Sequence, residues 1–186
     1  MNTMNETVDD GGLVITISGK SGCGNSTVSR IVSERLGLRL INFTLRDVAR
    51  ERGIPFEQFW EQAEYDQSVD HELDRQLIEL TAKGRCVLGT RLAIWLIEGQ
   101  DLSVYLHASQ ETRAARIAAR ESISFSKALT STGDRDRRDR KRYLRLYNID
   151  IDDESQADIV LDTEQVDQYA VVGKIIEELR SRSLLD

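Results

Sequence analysis

Residues 19–27 read Gly-Lys-Ser-Gly-Cys-Gly-Asn-Ser-Thr. Gly19, Gly22 and Gly24 let a chain curl closely enough for its N–H groups to reach phosphate oxygens. Phosphate-binding loops follow the pattern G-x-x-x-x-G-K-[ST]. Asn25 stands here where that pattern has lysine, and Ser26 and Thr27 follow it. Ser26 can offer a hydroxyl to Mg²⁺ and Thr27 one to a phosphate. The lysine has a separate task, to follow the β- and γ-phosphates and neutralise charge that develops during transfer. Asn25 can donate a hydrogen bond but brings no charge. Lys20, in the second loop position, is a candidate substitute. The phosphate-binding set is thus Gly19, Ser21, Gly22, Cys23, Gly24, Asn25, Ser26 and Thr27, with Ser26 as the metal-facing residue.

Arginines form the other chemical signal. Residues 134–143 read DRDRRDRKRY and hold Arg135, Arg137, Arg138, Arg140, Lys141 and Arg142 among three aspartates. A guanidinium forks onto phosphate through two hydrogen bonds, so arginine suits the handling of polyanions. The plainer reading of the block is an exposed helix laced with charge pairs. Arg91 follows a strand end, where parallel sheets hold ligands. Arg46 has a solvated helix position beside Arg50 and Glu51 as its plainer reading.

These residues need a scaffold. Residues 13–18 (LVITIS) are a β-branched run that ends in the glycine-rich turn. A helix of full period follows over 26–36, with Val28, Ile31, Val32 and Leu36 on one face and Gly37 as its stop. Strand, turn and helix start together make an anion site, because the helix N-terminus adds roughly half a positive charge. Short strands are expected at 38–41, 85–88, 102–107 and 157–161. Helices are expected at 43–50, 55–64, 69–83, 92–97, after Ser109, and at 166–179. The charged stretch 134–142 leads into 143–147. Alternating strands and helices argue for a parallel sheet covered on both faces.

Composition narrows the class. The chain has 186 residues, enough for one compact domain. Its net charge is −7, from 25 basic and 32 acidic residues, so coating nucleic acid or anionic membrane is not expected. No apolar run approaches the roughly 20 residues of a membrane span. Two cysteines make neither a disulfide framework nor a metal set, and residues 1–10 lack signal-peptide character. A cytoplasmic monomer with a disordered start over 1–11 is the expectation.

Beyond the loop, four segments resemble the cytidylate kinases, in their archaeal-type, cytidylate-kinase-like branch. They are ITISGKSGCGNSTVSRIVSERLGL, LRDVARERGIPFEQFWEQAEYDQSVDHELD, RLAIW followed by DLSVYLHAS, and RKRYLRLYNIDIDDESQADIVLDT. The resemblance runs from Val14 to about Leu179. It implies an α/β P-loop nucleoside monophosphate kinase fold: a five-stranded parallel sheet, order 2-3-1-4-5, flanked by helices. It further implies a helical acceptor-binding insert over about 43–83 and a lid over about 122–142. The implied reaction moves a phosphoryl group from ATP to CMP or dCMP with Mg²⁺. Arg46 and Arg91 match arginines that hold the acceptor phosphate, and Asp66 and Asp70 lie where a carboxylate could read the cytosine amino group. Arg135, Arg140 and Arg142 match the basic residues of the lid. Phe56, Phe59 and Trp60 read as core before they read as a stacking platform.

The family usually has Glu-Gly-Arg after the third strand, and this chain has Gly89, Thr90 and Arg91. Asn25 and Gly89 together keep open a homologue that binds nucleotide without turnover. A kinase for another small acceptor is the third reading.

Overall fold

In the computed structural model the described residues are 12–56, 58–59, 66 and 68–185. The expected disorder of 1–11, Trp60 and most of the helix expected at 55–64 fall outside them. Five parallel strands form one sheet: β1 (Val14–Gly19), β2 (Arg39–Ile41), β3 (Cys86–Gly89), β4 (Leu102–His107) and β5 (Ile159–Asp162). Their order is β2-β3-β1-β4-β5, as the resemblance implied. β1 lies at the centre, with Ile17 opposite Gly89 on one side and Val104 on the other.

Side-chain alternation sends the strands' apolar residues to two faces. On one face Ile15, Ile17, Val87 and Val104 pack with Val28, Ile31 and Val32 of α1 (Asn25–Leu36) and with Val172 and Ile175 of α7 (Gln168–Ser181). On the other, Cys86 and Leu88 pack with Val48 of α2 (Leu45–Glu51) and with Val69, Leu73 and Leu77 of α3 (Ser68–Thr81). Gly37 ends α1 at φ 62°, the left-handed turn that makes it a good stop. Thr44 and Asp47 close α2 with a reciprocal capping box. A short helix, α4 (Ala93–Leu96), precedes β4.

One helix differs from the sequence expectation in a way that matters, and the helix before it does not. α5 (Gln110–Glu121) starts at the Ser109 cap, and α6 (Phe125–Tyr147) runs unbroken for 23 residues. The charged stretch and the segment after it are one helix. Its inward positions include Ala128, Thr132, Asp139 and Arg142, at helical spacing. Most of that stripe is polar, so an apolar periodicity could not reveal it.

Candidate active site

A cleft of about 710 Å³ lies beyond the carboxyl ends of β1 and β3. Its lining includes Gly19, Lys20, Ser21, Gly22, Gly24, Asn25, Ser26 and Thr27 at one end, and Arg46, Asp70 and Arg91 further along, with Arg135 of α6 reaching the loop. The topology has therefore brought together residues from five separate parts of the chain.

The loop is built by the backbone. Gly22 and Gly24 have φ of 91° and 102°, which only glycine adopts readily. A Cβ on Gly22 would also sit 2.8 Å from the Arg113 Cβ. Gly24 is the α1 N-cap and makes no side-chain cap, so the first N–H groups of the helix remain for a ligand. Asn25 Nδ2 donates to the Gly19 carbonyl at 2.9 Å, closing the loop on itself. Cys23 departs from the expected set. Its side chain is buried in the core cluster, and its N–H donates to the Lys20 carbonyl at 3.1 Å. Burial pushes its thiol up to about 11, against the pull of Arg113, so the local positive field does not make it reactive.

Two arginines that the sequence reading passed over brace the loop from outside. Arg113, 3% exposed, donates to the Ser21 carbonyl at 3.2 Å and holds Asp136 of α6 with two bonds. Arg116 donates to the Gly22 carbonyl at 3.2 Å and to the Thr163 hydroxyl at 3.0 Å. Arg113, Arg116 and Arg120 recur along α5, and the latter two line the cleft. Their spacing on a helix was the available signal.

The other candidate residues divide by their partners. Arg91 pairs with Asp139, which is 2% exposed. Burial raises the Asp139 carboxyl's pKa, against the attraction of Arg91 and Arg135. Arg135 donates to the Ser21 hydroxyl at 3.3 Å, and burial beside Arg91 lowers its pKa to about 10. Arg46 lies over the Phe56 ring, 4.1 Å from its centre. Arg142 is buried and grips Asp70, also buried, at 2.5 Å. Lys20 reaches Asp152 at 2.6 Å, so its ammonium is drawn to the segment after α6. Arg140 is not brought into the cleft: it faces outward and binds Asp150. Asp66 is exposed and accepts from the Ser68 N–H, outside the cleft lining.

Gly89 has a physical reason to lack a side chain. A Cβ there would lie 2.3 Å from the Ser29 hydroxyl, which is wholly buried. Ser29 of α1 therefore occupies the space an acid at the β3 end would need.

Sheet order, glycine loop and strand-end cleft define a P-loop kinase fold. Solved structures agree at that level. The shikimate kinase of Acinetobacter baumannii superposes with a TM-score of 0.66 at 20% identity, covering 94% of this chain and 96% of that one. The deoxyadenosine kinase of M. mycoides gives 0.56 at 16% identity, covering 90% of this chain and 100% of that one. Sequence comparison is more specific. Residues 14–165 match the cytidylate kinase-like family. "Cytidylate kinase 2" of Borreliella afzelii is 46% identical over 174 residues, 91% of this chain and 98% of that protein. The cytidylate kinase of Pyrococcus horikoshii is 38% identical over 172 residues, 90% of each chain. The chain belongs to the cytidylate kinase-like family.

Proposed function

We propose that the protein transfers the γ-phosphoryl group of ATP to CMP or dCMP. The observation that carries this reading is one continuous cleft lined by both the glycine loop and the acceptor-side arginines. Two polyanions could meet there with positive groups on both sides.

The uncapped start of α1 and the loop N–H groups suit the phosphates of ATP. Mg²⁺, when bound, neutralises phosphate charge, and the exposed hydroxyl of Ser26 is the loop's ligand for it. The roles of Arg46 and Arg91 are to hold the acceptor phosphate. Arg135, placed between the Ser21 hydroxyl and Arg91, is the lid residue best set to meet the transferring group. Arg142 acts through Asp70, and Arg140 through the Asp150 contact, so neither is assigned a direct role. Lys20 stands in for the missing lysine only if it leaves Asp152. Residues 43–83 serve as the acceptor-binding insert and 122–142 as the lid.

The test is ADP release with ATP, Mg²⁺ and a panel of nucleoside monophosphates, beside thermal shifts with the same ligands. Turnover confined to CMP and dCMP is expected. Stabilisation by nucleotide without turnover would overturn the reading.

A further inference from the structure

Ser21 of the glycine loop is held at both its side-chain and its carbonyl oxygen by groups that lead back to one place on α6. Its hydroxyl accepts from Arg135 Nη1 at 3.3 Å, and its carbonyl from Arg113 Nη1 at 3.2 Å. Arg113 belongs to α5, and it forks onto Asp136, the residue after Arg135. Nη1 reaches Oδ1 at 3.2 Å, and Nη2 reaches Oδ2 at 2.7 Å. Ser21, Arg135, Asp136 and Arg113 therefore close a ring that joins loop, α6 and α5. Ser21 and Arg135 line the cleft, whereas Arg113 and Asp136 stand outside its lining.

The front and back of the ring are held differently. Behind the cleft, two bonds join opposite charges in the bidentate geometry that makes guanidinium–carboxylate pairs strong. Arg113 is 3% exposed, and its Nε also donates to the Ala108 carbonyl at 3.2 Å, which fixes the plane of its fork. In front, among the described residues, the Arg135 guanidinium makes one hydrogen bond, to a neutral hydroxyl, while Arg91 and Asp139 act on it through charge alone. A phosphate oxygen carries the charge that this hydroxyl lacks, so it is the better acceptor. Arg135 can thus change partners while Asp136 keeps its own.

Close packing keeps the ring in register. A Cβ on Gly22 would lie 2.9 Å from the Arg113 carbonyl, and one on Gly133 would lie 2.7 Å from Gln110 Nε2. Gln110, about one turn before Arg113 on α5, donates to the Leu129 carbonyl of α6 at 3.0 Å. α5 thus touches the loop on one side and α6 on the other, with glycine at each close approach.

We propose that Asp136 and Arg113 are positioning residues for phosphoryl transfer: the fork between them fixes α6 against the loop, so that Arg135 meets the transferring group from a set place. This rests on the kinase reading above. A buried ion pair is poor evidence of stability, since apolar side chains of similar size often serve as well. What the fork supplies is direction. Asp136 adjoins Arg135 in sequence, so a shift of one carries the other, and a misplacement of about 1 Å can cost about 100-fold in rate.

The experiment is a double-mutant cycle of Asp136→Asn and Arg135→Ala, assayed with ATP, Mg²⁺ and CMP well below the Tm of every variant. The asparagine keeps the size of the side chain and loses its charge and one acceptor oxygen. With Arg135 present, Asp136→Asn should lower kcat about 100-fold. The KM for CMP should stay within about twofold, because the interaction lost is one made only in the transition state. With Arg135 already removed, Asp136→Asn should lower kcat less than about threefold further, because its effect passes through that residue. A purely structural contact would move Tm and leave this pattern flat. Losses that add, a kcat unchanged by Asp136→Asn, or a loss carried by the KM for CMP overturns the assignment. Should Asp136→Asn fail to fold, Arg113→Lys takes its place in the cycle. The lysine keeps the charge but cannot fork onto both carboxylate oxygens, and the same outcomes decide. A wild type that does not phosphorylate CMP would mark the failure of the kinase reading, and this proposal would fall with it. Additive losses in a wild type active on CMP would sink this proposal alone.

Discussion

The two ends of the cleft are held by different forces. At the glycine loop the shape comes from backbone: positive φ at Gly22 and Gly24, an uncapped helix start and carbonyls braced by Arg113 and Arg116. At the acceptor end it comes from side-chain ion pairs that cross between elements, Arg91 with Asp139 and Arg142 with Asp70. A loop of the first kind tolerates a changed side chain, as at Asn25. A cluster of the second kind does not, because removing one partner strands a buried charge.

Arg91→Ala should give the largest loss, a fall of roughly 100- to 1,000-fold in kcat/KM for CMP. It should also lower Tm, because Asp139 is left unpaired. Removing both partners, in Arg91→Ala with Asp139→Ala, should recover much of the Tm and none of the activity. A steady-state assay beside calorimetry separates the two effects, and full activity in Arg91→Ala would refute the site.

Gly22→Ala tests the loop end. It meets both a left-handed φ of 91° and the Arg113 side chain. Tm should fall by roughly 5 °C, and the KM for ATP should rise more than that for CMP. Gly89→Ala should destabilise by overpacking against Ser29, typically about 1–3 kcal/mol. Pairing it with Ser29→Gly should restore Tm. An acid installed at position 89 without that second change is expected to fold poorly and so cannot by itself report on catalysis.

A smaller effect follows from Asp74. Its carboxyl is raised to about 6 in the folded chain, above its ordinary value, so ionising it opposes folding at neutral pH. Asp74→Asn escapes that cost. The Tm of the variant minus that of the wild type should be most favourable above pH 7, and should decline as the pH falls through about 6, where the wild-type carboxyl becomes neutral. A difference that stays flat from pH 5 to 8 would contradict the shift. The smallest effect belongs to Arg140→Ala. Its pairs with Asp150 and Asp152 are solvent-exposed, so stability should stay within error of the wild type. A large loss of kcat would instead bring Arg140 into the transfer step.

How much could be read in advance follows the same division. β1, the glycine turn and α1 were legible because the chemistry there is local: a β-branched run, turn glycines and a helical period adjoin in sequence. The strand order agreed with the resemblance, whereas the alternation of elements had given only a parallel sheet. α6 was misread as two pieces because its inward stripe is Thr132, Asp139 and Arg142, with no apolar signal. Arg113 and Arg116 were passed over because they sit among alanines on the helix expected after Ser109.

The sequence by itself determined the phosphate loop, the alternating α/β layout and the supply of arginines, since backbone curvature and burial patterns are written in neighbouring residues. Only the tertiary structure decided which arginine meets which acid. Arg140 and Arg142 are two residues apart, yet one turns to Asp150 in solvent and the other to buried Asp70. A helix advances about 100° per residue, so two neighbours in sequence can face opposite ways. What each one meets depends on elements placed far along the chain, by packing that no local pattern records.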